Sequence, residues 1–303
     1  MAKKKNILIS GGSGFIGKAL SEFLSVKGYN IAVLSRRDNI AGVKSFRWDY
    51  KEDFLEEGAI EFADIIIHLA GESVAGGRWT ESRKNAILDS RLKTTDLLYN
   101  AVKKSSKKPE LFLSASAVGY YGHDDSDTLC DETSEPGKDF LAQVVVKWEN
   151  KVKKIRDLGI RTNMLRIGIV LGENGGALSK MAMPVKLGIG SPLGSGKQNM
   201  PWIAIEDLVR MFHFVIENES LNSVFNAVAP EFVNNREFMR QLAKSLGKPF
   251  FMPAVPSLVF KVLYGEMADI LLFGKRVSSQ KIIDEEFEFK YNNLSDYLRE
   301  INI

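Results

Sequence analysis

Short apolar runs alternate with longer amphipathic stretches through the first half of the chain. Runs at residues 6–10, 30–35, 45–48, 64–69, 111–116 and 161–167 read as buried strands. Between them, residues 14–27, 80–105 and 139–158 space their apolar side chains as helices do. In the second of these, Ile87, Leu88, Leu92, Leu97 and Leu98 keep i, i+3, i+4 steps. This alternation predicts an α/β fold with a doubly wound parallel sheet, because each helix covers its apolar stripe on the sheet face. After Leu171 the texture changes. The stretch from Gly172 to Trp202 is rich in glycine and predicts a mobile, partly helical excursion. "WIAIEDLVRMFHFVIEN" (202–218) resumes the strand–helix pattern, and "SVFNAVA" (223–229) adds a strand. From Pro230 the pattern is mostly helical. The expected division is 1–175 with about 202–229 as one nucleotide-binding domain, and about 176–201 with 230–303 as a smaller, mostly helical domain.

Composition narrows the picture little further. With 45% hydrophobic and 26% charged residues among 303, the chain is neither disordered nor membrane-like. A net charge of +3 gives no bulk reason to expect nucleic acid, and the lysines at 2–5 and 103–108 read as solvated ends of elements. Cys130 is the single cysteine, which excludes an intrachain disulfide. His68, His123 and His213 show no metal-ligand spacing, so no metal is expected. The longest apolar run, 256–274, is interrupted by Lys261, Glu266 and Asp269. It predicts an amphipathic helix at a core or dimer contact rather than a membrane span. Few apolar residues precede the first glycines, so a signal peptide is not expected and the location is read as cytoplasmic.

The chemistry begins at "ISGGSGFIG" (9–17). Gly11, Gly14 and Gly17 fall at G-x-x-G-x-x-G spacing where the first strand turns into the first helix. Gly11 permits the turn, Gly14 lets backbone approach a pyrophosphate, and Gly17 lets the helix pack closely. Ser13 and the amides of Phe15, Ile16 and Gly17 complete an anion seat at the helix start. The second strand ends in Ser35, Arg36 and Arg37, where NAD-binding chains usually present a carboxylate. Guanidinium groups there suit a 2′-phosphate, so NADP(H) is expected in preference to NAD(H). Asp49, after the third strand, is either an adenine contact or an ordinary turn aspartate. Leu69, Ala70 and Gly71 are small enough for the chain to pass close to a ribose.

These residues, with "HLAGES…GGRWTESRK", "LFLSASAVGYYG", "RIGIVLGENGGALSKM", "LGSGKQNMPWIAIEDL" and "GEMADILLFGKRV", resemble the extended short-chain dehydrogenase/reductase superfamily. Within it the chain is similar to the "epimerase family" of bacterial YfcH proteins, from residue 6 to about 291. The resemblance implies a Rossmann domain of about seven strands, NADP(H) binding and a C-terminal domain. It also implies a catalytic serine beside a Tyr-x-x-x-Lys pair, often followed by a glutamate. Taking Glu149 as that glutamate puts Leu141 and Val145 at the tyrosine and lysine positions, so both expected groups are missing. Lys147 lies about 200° around the helix from Val145 and does not substitute.

Ser116 matches the superfamily's serine, with Ser114 two residues earlier on the same strand face at the cofactor side. Tyr120 and Tyr121 are the candidates for a relocated proton donor, or else apolar wall. Arg78, Trp79 and Arg166 are candidates for substrate binding, the arginines equally for ion pairs. Two functions stay open: an NADP(H)-dependent oxidoreductase or epimerase acting on a small carbonyl, alcohol or sugar nucleotide, and an NADP(H)-sensing protein that regulates an unknown partner. Monomer and homodimer both fit. In relatives, helices such as 80–105 and 139–158 form dimers, and Val144, Val145, Val146 and Trp148 supply apolar content compatible with that.

Overall fold

Ile7, Leu8 and Ile9 have no solvent exposure, and the strand they form, β1 (Asn6–Ser10), lies inside the main sheet. The computed structural model describes residues 4–36, 42–123, 128–173 and 175–302. The strands that follow are β2 (Asn30–Ser35), β3 (Lys44–Asp49), β4 (Phe54–Leu55), β5 (Ile65–His68), β6 (Leu111–Ala117), β7 (Leu129–Cys130), β8 (Arg161–Ile167), β9 (Ile169–Gly172), β10 (Gly175–Gly176), β11 (Trp202–Ala204), β12 (Val224–Ala227) and β13 (Arg276–Val277). The helices are α1 (Phe15–Val26), α2 (Ala59–Phe62), α3 (Glu81–Lys104), α4 (Phe140–Arg156), α5 (Leu178–Lys186), α6 (Ile205–Glu217), α7 (Asn235–Ser245), α8 (Ser257–Tyr264), α9 (Asp269–Leu272), α10 (Gln280–Asp284) and α11 (Leu294–Glu300).

The main sheet runs β12-β8-β6-β5-β1-β2-β3-β4, all parallel except the two-residue edge strand β4. Strand order reverses between β1 and β5, the switch point at whose carboxyl ends open α/β sheets bind their ligands. Helix α1 packs on α6 and α3 on α4, giving a helix pair on each side of a doubly wound Rossmann-like sheet. Caps set the helix starts. Thr80 accepts from the Arg83 amide at 3.2 Å, and Asp139 accepts from the Ala142 amide at 3.1 Å. A second apolar cluster gathers Leu178 and Val185 of α5, Trp202, Phe238 and Leu242 of α7, and Tyr297 and Leu298 of α11.

The strand at Trp202 joins β9 and β10 in a small separate sheet, pairing with Ile169. Two expectations change. The run 256–274 is not one helix. It breaks after Tyr264 at Gly265, whose φ of 61° favours glycine, and continues through a 3₁₀ turn into α9. On α4, Val144, Val145 and Trp148 are buried within the chain, because that face lies on the sheet and α3, so they supply no exposed dimer surface. No helix among the described residues is long and apolar enough to cross a membrane.

Candidate functional site

The β1–α1 turn is built for close approach. Gly11 holds φ at 73°, and a side chain there would lie 3.0 Å from the backbone of Leu69 and Ala70. At Gly17 an added Cβ would press into the carbonyl oxygen of Gly11 and lie 2.6 Å from the Cα of Gly12. Gly14 is the N-cap of α1 and supplies no side-chain cap, so the amides of Phe15, Ile16 and Gly17 open the helix without a side-chain partner. Helix amides and dipole aimed into a glycine cradle suit a pyrophosphate, and the residues present therefore fit a dinucleotide. Phe15 contributes backbone only. Its ring is wedged among Gly172, Gly175 and Gly176, where any Cβ would strike it.

A row of polar side chains supports the cradle from below. Ser10, His68 and Ser114 are register neighbours across β1, β5 and β6, and all three are buried. Ser10 Oγ accepts from the amides of Leu69 (3.2 Å) and Ala70 (3.3 Å), so its one proton goes to His68 Nδ1 at 2.7 Å. The imidazole therefore carries its own proton on Nε2 and donates it to Thr95 Oγ1 at 3.1 Å, whose hydroxyl in turn donates to the Arg91 carbonyl. Ser114 donates to the Ala115 carbonyl. Burial, helped by the positive charge of Arg91, pulls the His68 pKa from 6.5 to about 3. Unfolded chains take up this proton near pH 6.5 and the folded chain does not, so stability is retained above that pH and falls on acidification. The expected slope is about 1.4 kcal/mol per pH unit between pH 6 and 4.5. Urea unfolding at stepped pH measures it, and His68→Asn flattens the slope over that window.

Two residues further along β6, Ser116 starts a second polar row that continues through Arg166 on β8 to Asn226 on β12. Glu149 reaches it from α4. Arg166 donates Nε to Glu149 Oε1 (2.8 Å) and Nη2 to Oε2 (2.9 Å), while Ser116 Oγ donates to Oε1 at 2.6 Å. Arg166 Nη1 also donates to the Tyr121 hydroxyl (3.0 Å), which donates to Asn226 Oδ1 at 2.7 Å. Asn226 continues to the Ser278 carbonyl and, through its amide, to the Glu132 carboxylate. Burial opposes the charge of Arg166, but the Glu149 carboxylate outweighs it and holds the guanidinium protonated. Burial pushes the Tyr121 phenol well up, so it keeps its proton. Tyr120 lies flat on Arg166, with the guanidinium carbon 3.4 Å from the ring centre.

Leu141, Val145 and Glu149 stand one turn apart on the inward face of α4, all buried. Gly119 faces Leu141 and Val145, so apolar side chains fill the positions where the superfamily has its tyrosine and lysine.

The remaining candidates lie at or after the ends of β2, β3 and β5. Ser35 ends β2 and Arg36 follows it, exposed; Arg37 lies outside the described residues. Asp49 Oδ1 accepts the Lys51 amide at 2.8 Å and so closes the β3–β4 turn. Arg78 donates to the Val262 carbonyl near the end of α8, capping that helix, and Trp79 packs edge-on against Phe140 and donates to the Val74 carbonyl. Sequence reasoning used Glu149 only as a marker and passed over Asn226. A carboxylate on an otherwise apolar helix face was the one available signal for the first.

The comparisons agree with this architecture. A family model described as the NAD dependent epimerase/dehydratase family matches residues 7–227, and one described as a domain of unknown function matches residues 255–301. The chain is 33% identical over 298 residues to the epimerase family protein SDR39U1 of Mus musculus, covering 97% of this chain and 99% of that protein. It is 33% identical over 301 residues to the epimerase family protein YfhF of Bacillus subtilis, covering 98% and 97%. The crystal structure of human epimerase family protein SDR39U1 (isoform 2) with NADPH superposes with a TM-score of 0.88 at 32% identity, over 98% of each chain. With its glycine cradle at the switch point and likeness along nearly its whole length, the chain belongs to the NAD-dependent epimerase/dehydratase family.

Proposed function

We propose that the chain is an NADP(H)-dependent oxidoreductase or epimerase acting on a small carbonyl, an alcohol or a sugar nucleotide, with a proton path that does not use a Tyr-x-x-x-Lys pair. The observation that carries this reading is the glycine cradle, open to helix amides and closed by Leu69 to Gly71. Ser35 and Arg36 stand at the end of the neighbouring strand β2, and with Arg37, which follows them in the sequence, they suit a 2′-phosphate. The NADPH held by the human relative supports the same preference. When bound, NADP(H) supplies the hydride donor or acceptor. Ser116 directs its hydroxyl hydrogen at Glu149, so its lone pairs are left to receive a substrate hydroxyl. A proton leaving that hydroxyl moves to Ser116 Oγ as the serine proton passes to Glu149 Oε1. Tyr120 is the remaining phenol candidate, since Tyr121 is committed to Asn226.

A second reading has its own support. Leu141 and Val145 remove the usual acid and its tuning cation, which suits a protein that binds NADP(H) to regulate a partner. Turnover separates the two. Purified protein is incubated with NADPH and a panel of carbonyls and sugar nucleotides, following absorbance of the reduced nicotinamide and separating the sugar products. The enzyme reading expects oxidation of NADPH or epimerised product with at least one compound, slowed by Ser116→Ala about 100-fold. Tight NADPH binding without turnover of any compound supports the sensor instead.

A further inference from the structure

Helix α8 stands uncovered. No residue of it is buried, and Leu258, Val259, Val262 and Leu263 are 42–69% exposed. Phe251 and Met252, in the segment that leads into it, are exposed as well. Phe260 and Tyr264 are half-buried and mark the side on which the helix rests. The ridge is held in place at both ends. Arg78 donates to the Val262 carbonyl at 3.0 Å, and Glu266 pairs with Lys84 of α3 at 2.7 Å. Before the helix, the Val255 amide donates to the Pro192 carbonyl and the Val255 carbonyl accepts from the Gly194 amide, both at 2.9 Å. An apolar helix face fixed in this way normally lies against something.

Its size and chemistry narrow the occupant. At about 100 Å² for each apolar side chain, the six residues offer roughly 500 Å². That matches the apolar share of a standard interface, which buries about 800 Å² per partner and is a little over half apolar. A helix lying on a lipid surface carries several cations opposite its apolar face, whereas α8 has Lys261 alone. A small molecule needs a concave site with polar groups to orient it, and an exposed helix ridge offers neither. A second copy of the same ridge needs only apolar matching. Leu258 and Val262 form one i, i+4 row, and Val259 and Leu263 form the next. A copy crossing antiparallel about a twofold axis lays each row on itself reversed. Leu258 then meets Val262 of the partner subunit, Val259 meets Leu263 of the partner subunit, and Lys261 stays outside both rows.

We propose that this ridge is the contact surface of a homodimer, with α8 packed antiparallel on α8 of a second copy. Val144, Val145 and Trp148 of α4 lie inside the chain, so the apolar contact falls to the first half of the run 256–274 instead. The contact uses the same patch on both copies and therefore closes at two. It is independent of the coenzyme reading, since no group of the glycine cradle takes part.

Sedimentation equilibrium of the unaltered protein between about 1 and 100 µM tests the proposal. The mass should rise from one chain to two, with a dissociation constant in the micromolar range or below, as for interfaces of this size. Leu258→Glu sets a carboxylate against an apolar partner and should weaken pairing about tenfold or more, as should Val262→Lys. Mixed in equal amounts, the two variants should pair with each other and recover most of the loss, because glutamate then faces lysine. Both positions are exposed in the single chain, so the unfolding temperature of each variant at low concentration serves as the folding control. A chain that stays single at about 100 µM overturns the proposal, as does Leu258→Glu pairing as tightly as the unaltered protein. Mixed variants that fail to recover pairing overturn it too. So does flotation of single chains with phosphatidylglycerol vesicles, which assigns the ridge to a lipid surface.

Discussion

Glu149→Leu is expected to destabilise the protein by about 3–5 kcal/mol, and Arg166→Met by a similar amount, because each leaves the other member of a buried ion pair uncompensated. Both side chains are at most 4% exposed, so water does not step in to replace the lost partner. Glu149→Leu also strips Ser116 of its acceptor, whereas Arg166→Met removes a donor to Tyr121 and the cation beneath the Tyr120 ring. The double variant Glu149→Leu/Arg166→Met removes both charges together and is expected to recover most of the loss, since a well-packed apolar pair often costs little relative to a buried ionic one. Urea unfolding gives all three values. Adding salt should change the coupling little, because a buried pair is screened far less than a surface one. Single variants within about 1 kcal/mol of the unaltered protein would mean that the pair is solvated, and that the second polar row does not hold the strand ends.

The parallel strands were legible because they are continuous apolar runs, and β1, β2 and β8 fall where the pattern places them. Helices α1, α3 and α4 were equally readable from their spacing, and Thr80 and Asp139 cap α3 and α4 as side chains of that type do. The short strands were not. β4, β7, β10 and β13 have two residues each: β4 and β10 fold back onto β3 and β9 across short turns, and β7 and β13 pair with each other across the chain, as Arg276 does with Leu129. The break at Gly265 was hidden inside an apolar run whose composition favours a continuous helix. In the site, local motifs such as the glycine turn could be read residue by residue. The polar rows could not, because Ser116, Arg166 and Asn226 become neighbours only through strand register.

Coenzyme choice is the second large effect. Arg36 stands exposed immediately after β2, with Ser35 before it, where the adenosine ribose of a coenzyme seated on the β1–α1 turn would lie. Charge-assisted hydrogen bonds to a 2′-phosphate are worth about 1.5–3 kcal/mol each, so preference for NADPH over NADH should reach roughly a hundredfold. Arg36→Glu replaces attraction with repulsion of that phosphate and offers a carboxylate to a free 2′-hydroxyl. It should weaken NADPH by about two orders of magnitude and leave NADH equal or stronger. Because Arg36 is exposed, the variant should fold normally, and its unfolding temperature serves as the control.

The most direct measurement is a calorimetric titration of the unaltered protein with NADPH and, separately, with NADH at one ionic strength. The account predicts saturable NADPH binding at one site per chain, about a hundredfold tighter than NADH. Heat from neither coenzyme, or equal affinity for both, would contradict it.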